Sequence, residues 1–273
     1  KIHPGADDNA SGVAVLLEVA RALKKAGPGL RTVRLIVFTG EENGLVGSRA
    51  WVKAQGDLKS RVFAMLNLDT VGRKGERPLL LLDGQSAAEW VHVARGVGFT
   101  TGSKVELARE GGGSSDQQAF LEAGVPAVQL FSGAHPDYHR AGDTADKVEE
   151  PSLVDAAVVA KEIVAYLADR KEALSFGTAS VGATGGRRAA LGTVPDMTFG
   201  GPGVKVDDVL VGSPAASAGM AKGDVLLRFD GEPIADLRAY SDLLKKKQPG
   251  DQVRVVVRRD GKELSLDVVL GER

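Results

Sequence analysis

The sequence of 273 residues has no cysteine, which excludes disulfide bonds and thiolate metal ligands. It has only four histidines, so any metal site must be built from His, Asp and Glu. The 35 basic and 36 acidic residues nearly cancel, which is unlike the basic surface of a nucleic-acid-binding protein. No run of about 18 uncharged apolar residues is present, so the sequence encodes no membrane-spanning helix.

Hydrophobic residues make up 43% of the sequence and charged residues 26%, a balance typical of proteins that fold around a core. The length fits one large or two ordinary domains. The opening segment KIHPGADDNASG is typical of a loop in the middle of a domain. We therefore expect that further sequence, including any export signal, precedes Lys1 in the natural protein.

Residues 1–174 alternate short apolar segments with amphipathic ones, which predicts an α/β domain with a mostly parallel sheet and helices on both faces. The predicted strands are Val33–Phe38, Val62–Leu68, Leu79–Leu82, Lys104–Ala108 and Ala127–Phe131. The predicted helices are Ala10–Lys25, Gly44–Ala54, Ser86–Val97, Ser114–Ala123 and Pro151–Arg170.

The composition changes after the last of these helices. Residues 175–188 are small, polar and rich in glycine, which predicts a linker. Residues 189–273 form a second, β-rich domain in our interpretation. Its predicted elements are the strands Val204–Val211, Asp224–Phe229, Gln252–Arg258 and Leu264–Leu270, and the helix Leu237–Lys246.

Acidic and histidine side chains occur where predicted strands end or a helix begins. Because the carboxyl ends of parallel strands share one edge of a sheet, we expect the side chains that follow strands to converge there, with Asp7 beside them if its loop also follows a strand. Carboxylates and imidazoles are the ligands that zinc-like ions take when thiolates are absent. The residues concerned are Asp7, Asp8, Glu41, Glu42, Asp69 and His139.

Each of these turns also has a simpler explanation. Asp7 and Asp8 precede a helix, where such residues commonly cap the free N–H groups. A helix dipole would favour Glu41 and Glu42 at a helix start, and an isolated His139 in a loop is more often a surface residue. The occurrence of all of them at one predicted edge favours a metal centre.

Four motifs, in order, make a closer comparison possible: PGADDNASGVAVLLEVARAL, FTGEENGLVGS, LNLDTVG and SSDQQAFLEAGVPAVQLFSGAHPDYHRAGDTADKV. They strongly resemble the M28 family of zinc metallopeptidases, over nearly all of residues 1–170. The resemblance implies a three-layer α/β/α sandwich, an aminopeptidase activity and two zinc ions.

The resemblance also implies a role for individual residues. Asp7 matches the carboxylate that bridges the two metals, Glu42 and His139 match ligands of one metal, and Asp69 matches a ligand of the other. Glu41 matches the general base and acid.

Three further residues match less central positions. Asp8 matches an aspartate beside the ligands, next to a strained peptide bond in the family, and Asp116 and Tyr138 match residues that line the site. The family's remaining ligand is a histidine of an HxD motif on an upstream strand, which this chain does not contain. The resemblance therefore implies that the second metal site is impaired in the chain as given.

Residues 189–273 resemble PDZ domains of bacterial proteases, most clearly in the segment SPAASAGMAKGD. The resemblance implies that a loop of Ala190, Leu191, Gly192 and Thr193 receives the terminal carboxylate of a peptide. Successive backbone N–H groups can form such an anion site, and the adjoining strand edge can add a peptide strand. The expected partners are peptide substrates and peptide C-termini or a partner protein.

Taken together, these features predict zinc-dependent hydrolysis of peptide bonds by an exported bacterial aminopeptidase. Two alternatives stay open. The chain can be a catalytically incomplete module that binds peptides through its PDZ domain, or an enzyme of carboxypeptidase or aminoacyl-cyclase type on the same fold.

Overall fold

A computed structural model describes residues 2–108, 115–177, 189–196 and 199–272. The chain divides into two units, Lys1–Val181 and Gly182–Arg273. Most of the predicted linker, residues 178–188, lies outside the described residues. Among the described residues, none of the helices has both the length and the apolar character needed to cross a membrane.

The described part of unit 1 alternates helices and strands as the sequence pattern predicts. Its helices are α1 (Gly12–Ala26), α2 (Val46–Ala54), α3 (Trp90–Thr101), α4 (Gln117–Glu122) and α5 (Glu150–Asp169). Its strands are β1 (Met65–Leu68), β2 (Leu79–Leu82), β3 (Val105–Leu107) and β4 (Ala127–Phe131). The bounds differ from the sequence prediction by a few residues, mostly at the helix starts.

The four strands form one sheet in the order β1-β4-β2-β3. β1 runs parallel to β4, with Met65 opposite Ala127, and β2 runs parallel to β3, with Leu79 opposite Val105. The pairing of β2 with β4 is antiparallel. The predicted mostly parallel sheet is therefore confirmed.

Helices cover both faces of this sheet. Successive residues of a strand point to opposite faces, so neighbouring strand residues contact different helices. Leu66 and Val128 belong to a core cluster with residues of α1, α3 and α5, including the fully buried Trp90. The neighbouring residues Met65 and Ala127 belong to a second cluster with residues of α2 and α4. Two separate cores on the two faces confirm the three-layer arrangement.

One predicted strand, Val33–Phe38, does not form in the structure. Val33, Leu35 and Val37 are 39%, 43% and 63% exposed, and a cavity of about 1250 Å³ lies between this segment and residues 60–68. An apolar, β-branched run satisfies the side-chain requirement of a buried strand, but a strand also needs a neighbour for its backbone groups. Among the described residues, this segment has no paired strand.

Unit 2 is built mainly from antiparallel strands, as predicted. Its strands are β5 (Ala189–Ala190), β6 (Thr193–Pro195), β7 (Val204–Val209), β8 (Val225–Phe229), β9 (Glu232–Pro233), β10 (Gln252–Arg259), β11 (Lys262–Val269) and β12 (Gly271–Glu272). Its helices are α6 (Pro214–Ser217) and α7 (Leu237–Lys245). The main sheet has the order β11-β10-β8-β7-β6, β9 pairs with β8, and β12 pairs with β5.

The longest hairpin of unit 2 joins β10 to β11. Asp260 and Gly261 form its turn with φ angles of 50° and 78°. Positive φ at both central residues is characteristic of the tight hairpin turns that Asp-Gly favours. The core beside it contains Leu226, Leu244 and Val255, all fully buried.

Candidate metal centre and active site

The first acidic loop is fixed at the carboxyl end of β1 by Asn9. Its Nδ2 atom donates to the carbonyl oxygen of Leu68 at 2.9 Å, and its Oδ1 atom accepts from the N–H of Gly12 at 3.0 Å. The loop begins at Gly5, with a φ of 63°, where a Cβ atom would lie 2.5 Å from the carbonyl oxygen of Asp8. The peptide bond between Asp8 and Asn9 is cis. These contacts place Asp8 at the strand end, as the sequence pattern requires.

The second acidic pair, Glu41 and Glu42, lies in the turn that precedes α2. The carbonyl oxygen of Glu41 accepts from the N–H groups of Gly44 at 3.0 Å and Leu45 at 2.8 Å. Asp69 directly follows β1, and the hydroxyl of Thr70 donates to its Oδ1 atom at 3.2 Å. Each carboxylate is therefore carried by a turn that is itself hydrogen-bonded.

Asp8, Glu42 and His139 form a group that could hold a metal ion. Each offers one ligand atom, and these atoms all lie within 4.8 Å of one another. The Nε2 atom of His139 lies 3.2 Å from Oδ2 of Asp8 and 3.0 Å from Oε1 of Glu42. Two carboxylate oxygens and one imidazole nitrogen are a ligand set that zinc accepts. The side chains therefore fit a zinc ion in number and kind.

The conformation of His139 is unusual. Its φ is 58°, in the left-handed region that residues other than glycine rarely enter. The ring of Tyr138 stacks on the His139 ring, with 3.9 Å between centroids and 24° between planes. Residues held in rarely populated backbone conformations are concentrated at functional sites, and such a conformation costs about 1–3 kcal/mol.

The carboxylates around this group repel one another. Burial raises the pKa of Glu41 to about 8, and the charges of Asp69, Glu42, Asp116 and Asp8 contribute to that increase. In ordinary surroundings a glutamate is ionised well below neutral pH. A divalent cation would offset this repulsion.

Two neighbouring aspartates show the same crowding. Burial raises the pKa of Asp69 to about 7, with a further increase from the charge of Asp8, although hydrogen bonds from Ser115 and Thr70 oppose it. Burial also raises the pKa of Asp116, and its Oδ1 atom has no hydrogen-bond partner among the described residues. Asp116 therefore lies close enough to Glu41 for its charge to raise the pKa of Glu41.

The structure assigns different positions to Asp7 and Asp8 than the sequence comparison implied. Asp7 is fully buried, its Oδ1 atom accepts from the N–H of Gly72 at 2.6 Å, and its Oδ2 atom lies 3.2 Å from Nε2 of His135. Asp8, expected only beside the ligands, lies with Glu42 and His139 instead. Asp7 and Asp8 are adjacent in the chain, but their side chains contact different partners. An alignment displaced by one residue would therefore assign the role of one aspartate to the other.

Sequence reasoning missed two residues that hold this loop. The carboxylate of Asp143 accepts from the backbone N–H of Asp7 at 3.1 and 3.0 Å and from that of Asp8 at 2.9 Å. His135 is buried, and its Nε2 atom lies 3.2 Å from Oδ2 of Asp7. Both lie in the segment AHPDYHRAGDT that contains His139, and this proximity in sequence was the available signal.

The predicted carboxylate loop of unit 2 joins β5 to β6. Gly192 has a φ of 80°, and a Cβ atom there would lie 2.3 Å from Cβ of Ser213. Ala190 belongs to β5, and Leu191 is fully buried in the core. The hydroxyl of Thr193 lies 3.2 Å from that of Tyr240 on α7, so the loop is next to this helix.

Comparison with known proteins agrees with this architecture. The family model "Peptidase family M28" matches residues 1–164, which is more than half of the chain. The chain belongs to peptidase family M28. The model "PDZ domain" matches residues 178–270. A peptidase domain followed by a PDZ domain is therefore confirmed.

Two bacterial proteins are similar in sequence to part of this chain. Aminopeptidase YwaD of Bacillus subtilis is 36% identical over 184 residues, which cover 62% of this chain and 39% of YwaD. The probable lipoprotein aminopeptidase LpqL of Mycobacterium tuberculosis is 28% identical over 204 residues, covering 61% of this chain and 40% of LpqL. The chain thus spans about two fifths of the length of each of these two relatives.

A solved structure of a zinc aminopeptidase is similar to this chain. The structure of BSAP, a zinc aminopeptidase from Bacillus subtilis, matches with a TM-score of 0.56 and 31% identity. The match covers 66% of this chain and 46% of that one.

Proposed function

We propose that this M28 peptidase hydrolyses peptide bonds with the help of zinc and acts as an aminopeptidase. The observation that carries the proposal is the convergence of Asp8, Glu42 and His139 within 4.8 Å, beside the half-buried side chain of Glu41. YwaD and BSAP, described as an aminopeptidase and a zinc aminopeptidase, support the reaction class and the metal.

In this proposal Asp8, Glu42 and His139 would hold one zinc ion, and Asp69 together with Asp8 would serve a second ion. The raised pKa values of Glu41 and Asp69 support this assignment, since crowded carboxylates favour binding of cations. Bound zinc would lower the pKa of a water ligand toward about 7 and would polarise the substrate carbonyl.

Glu41 is the general base and acid in this proposal. Its carboxylate removes a proton from the attacking water and passes that proton to the leaving amine. In the metal-free protein its pKa is about 8, and nearby zinc would lower that pKa, because a cation favours the ionised carboxylate that accepts the proton. General acid–base catalysis of this kind typically contributes about 10²- to 10⁴-fold to the rate.

The PDZ unit is proposed to bind peptide C-termini through Ala190, Leu191, Gly192 and Thr193. The loop joins β5 to β6 beside α7, and successive backbone N–H groups in such a loop can hold a carboxylate. We also propose that the protein is exported, because the name of LpqL describes a lipoprotein.

The test compares a chromogenic aminoacyl substrate with free and N-acetylated peptides, using the zinc-loaded protein. We expect hydrolysis only where the amino terminus is free. Cleavage of acetylated peptides would favour a carboxypeptidase or an enzyme of another specificity. A protein that takes up no zinc and hydrolyses nothing would favour the peptide-binding module instead.

The role of Glu41 is tested by Glu41→Gln, which should retain zinc while hydrolysis falls by at least about 10²-fold. Glu122→Gln is the matched control, because Glu122 pairs with Arg49 rather than facing the metal ligands. Retained turnover in Glu41→Gln would contradict the assigned role.

A further inference from the structure

The loop of residues 135–143 contains His139, a proposed zinc ligand, and also contacts the loop that carries Asp8, another proposed ligand. His139 belongs to the proposed zinc set, and Asp143, four residues later, binds the loop of Asp8. The carboxylate of Asp143 is 2% exposed and accepts the N–H groups of Asp7 and Asp8. The carbonyl oxygen of Asp143 also accepts from the N–H of Ala6 at 3.3 Å. Three consecutive amides of the Asp8 loop are thus held by one residue.

His135 holds the same loop from another side. Its Nδ1 atom lies 3.0 Å from Nη1 of Arg73. A guanidinium can only donate, so Nδ1 accepts and the ring proton is on Nε2. That nitrogen lies 3.2 Å from Oδ2 of Asp7. Neither atom has a hydrogen-bond partner among the described residues, so the approach of Nε2 to Oδ2 is a close polar contact between two buried groups.

The two contacts leave little freedom to the Asp7 side chain. Its other oxygen, Oδ1, accepts from Gly72 at 2.6 Å, and the side chain is fully buried. Arg73, which orients His135, also pairs with Asp137 at 3.0 Å. The orientation of Asp7 is therefore fixed by a chain of polar contacts that begins at the surface and ends beside Asp8.

A ring contact continues this chain to the ligand. The ring of His135 meets that of Tyr138 edge-on, with 6.1 Å between centroids, and Tyr138 stacks on His139. The segment 135–143 thus contains His139 and also contacts the loop that carries Asp8. Any shift of this segment would move His139 and the Asp8 loop together.

We propose that His135 and Asp143 are positioning residues that hold Asp8 in register with Glu42 and His139 for zinc binding. His135 acts through Asp7, and Asp143 acts through the backbone of Asp7 and Asp8. This inference rests on the proposed function, because it assigns the two residues to the same zinc site. Partners of this kind typically affect metal affinity by about 10- to 100-fold when they are removed.

The experiment measures the dissociation constant for Zn²⁺ by competition with a chromophoric chelator, in the wild-type protein and in His135→Leu, His135→Gln and Asp143→Asn. We expect about 10- to 100-fold weaker zinc binding in His135→Leu and Asp143→Asn. His135→Gln should recover most of the affinity, because its amide can place an N–H near Oδ2 of Asp7.

Thermal unfolding with and without zinc separates positioning from plain stability. A positioning role predicts that the increase in Tm caused by zinc becomes smaller in His135→Leu and Asp143→Asn. Glu149→Gln is the matched control, since Glu149 accepts the N–H of Gly75 at 2.9 Å outside the ligand group. Its zinc affinity should equal that of the wild type.

Wild-type affinity in both His135→Leu and Asp143→Asn, with only a lower Tm, would overturn this inference and leave the proposed function standing. If Asp143→Asn does not fold, the comparison of His135→Leu with His135→Gln decides the question alone. Equal affinities in that pair would overturn the inference. A wild-type protein that binds no zinc would overturn the proposed function and this inference together.

Discussion

The crowded carboxylates make a measurable prediction about the metal-free protein: Glu41→Gln should stabilise it at alkaline pH. In the unfolded chain Glu41 titrates near 4.5, whereas in the folded metal-free protein its pKa is about 8. Between these two pH values the folded state keeps a proton that the unfolded state has released. The contribution of Glu41 to stability therefore decreases as the pH rises from about 4.5 to 8.

The size of the effect follows from the same two pKa values. Each pH unit in that interval removes up to about 1.4 kcal/mol, which sets a ceiling near 5 kcal/mol. Glu41 is partly exposed, and solvent screening reduces this ceiling. We expect Glu41→Gln to raise the free energy of unfolding of the metal-free protein by about 2–3 kcal/mol at pH 8. At pH 4 the gain should be close to zero.

The assay is urea denaturation of the chelator-treated protein at several pH values between 4 and 8.5. Glu122→Gln serves as a control of opposite sign. Burial by itself would raise the pKa of Glu122, but hydrogen bonds from Arg49 and Gln118 outweigh it and lower that pKa. Glu122→Gln should therefore not stabilise the protein at pH 8. A Glu41→Gln variant that is no more stable than the wild type at pH 8 would refute the electrostatic reasoning.

Three further predictions concern separate parts of the molecule. Trp90→Ala should cost about 3–5 kcal/mol in the free energy of unfolding, because Trp90 is fully buried; a loss below 1 kcal/mol in urea denaturation would contradict the assigned core. Gly192→Ala should weaken the binding of a C-terminal peptide in a fluorescence titration while aminoacyl hydrolysis is unchanged, since the added Cβ would lie 2.3 Å from Ser213; unchanged peptide affinity would argue against the proposed loop. His139→Ala should abolish the rise in Tm that zinc causes in the wild type, and a retained rise would place the zinc elsewhere.

Much of the peptidase fold could be predicted from local sequence signals. β2 and β4 have the bounds expected from the sequence, because each is a short apolar run bounded by polar residues or turns. Val33–Phe38 has the same local character but forms no strand. Strand formation depends on a neighbouring strand, and no local pattern reports whether one is present. The two-residue strand β5 pairs with β12 about 80 residues away, which local patterns also cannot reveal.

In the candidate site, too, the sequence predicts which residue types are present but not which residues contact one another. Glu42 and His139, which the pattern of acidic and histidine residues predicts at one edge of the sheet, lie 3.0 Å apart. The pattern could not separate Asp7 from Asp8, because both are aspartates in one loop and their surroundings are set by tertiary contacts. Asp143 holds these residues from 135 or more positions away in the sequence. The role of Asp143 depends on how the two loops pack against each other, and its position beside His139 in the sequence is only an indirect signal of that packing.

X-ray anomalous diffraction at the zinc absorption edge, on crystals of the zinc-loaded protein, tests the central claim most directly. The account predicts an anomalous peak within bonding distance of Asp8, Glu42 and His139, with Asp7 remaining bound to Gly72 and His135. A zinc peak coordinated by Asp7 in place of Asp8, or zinc bound only at other residues, would contradict it.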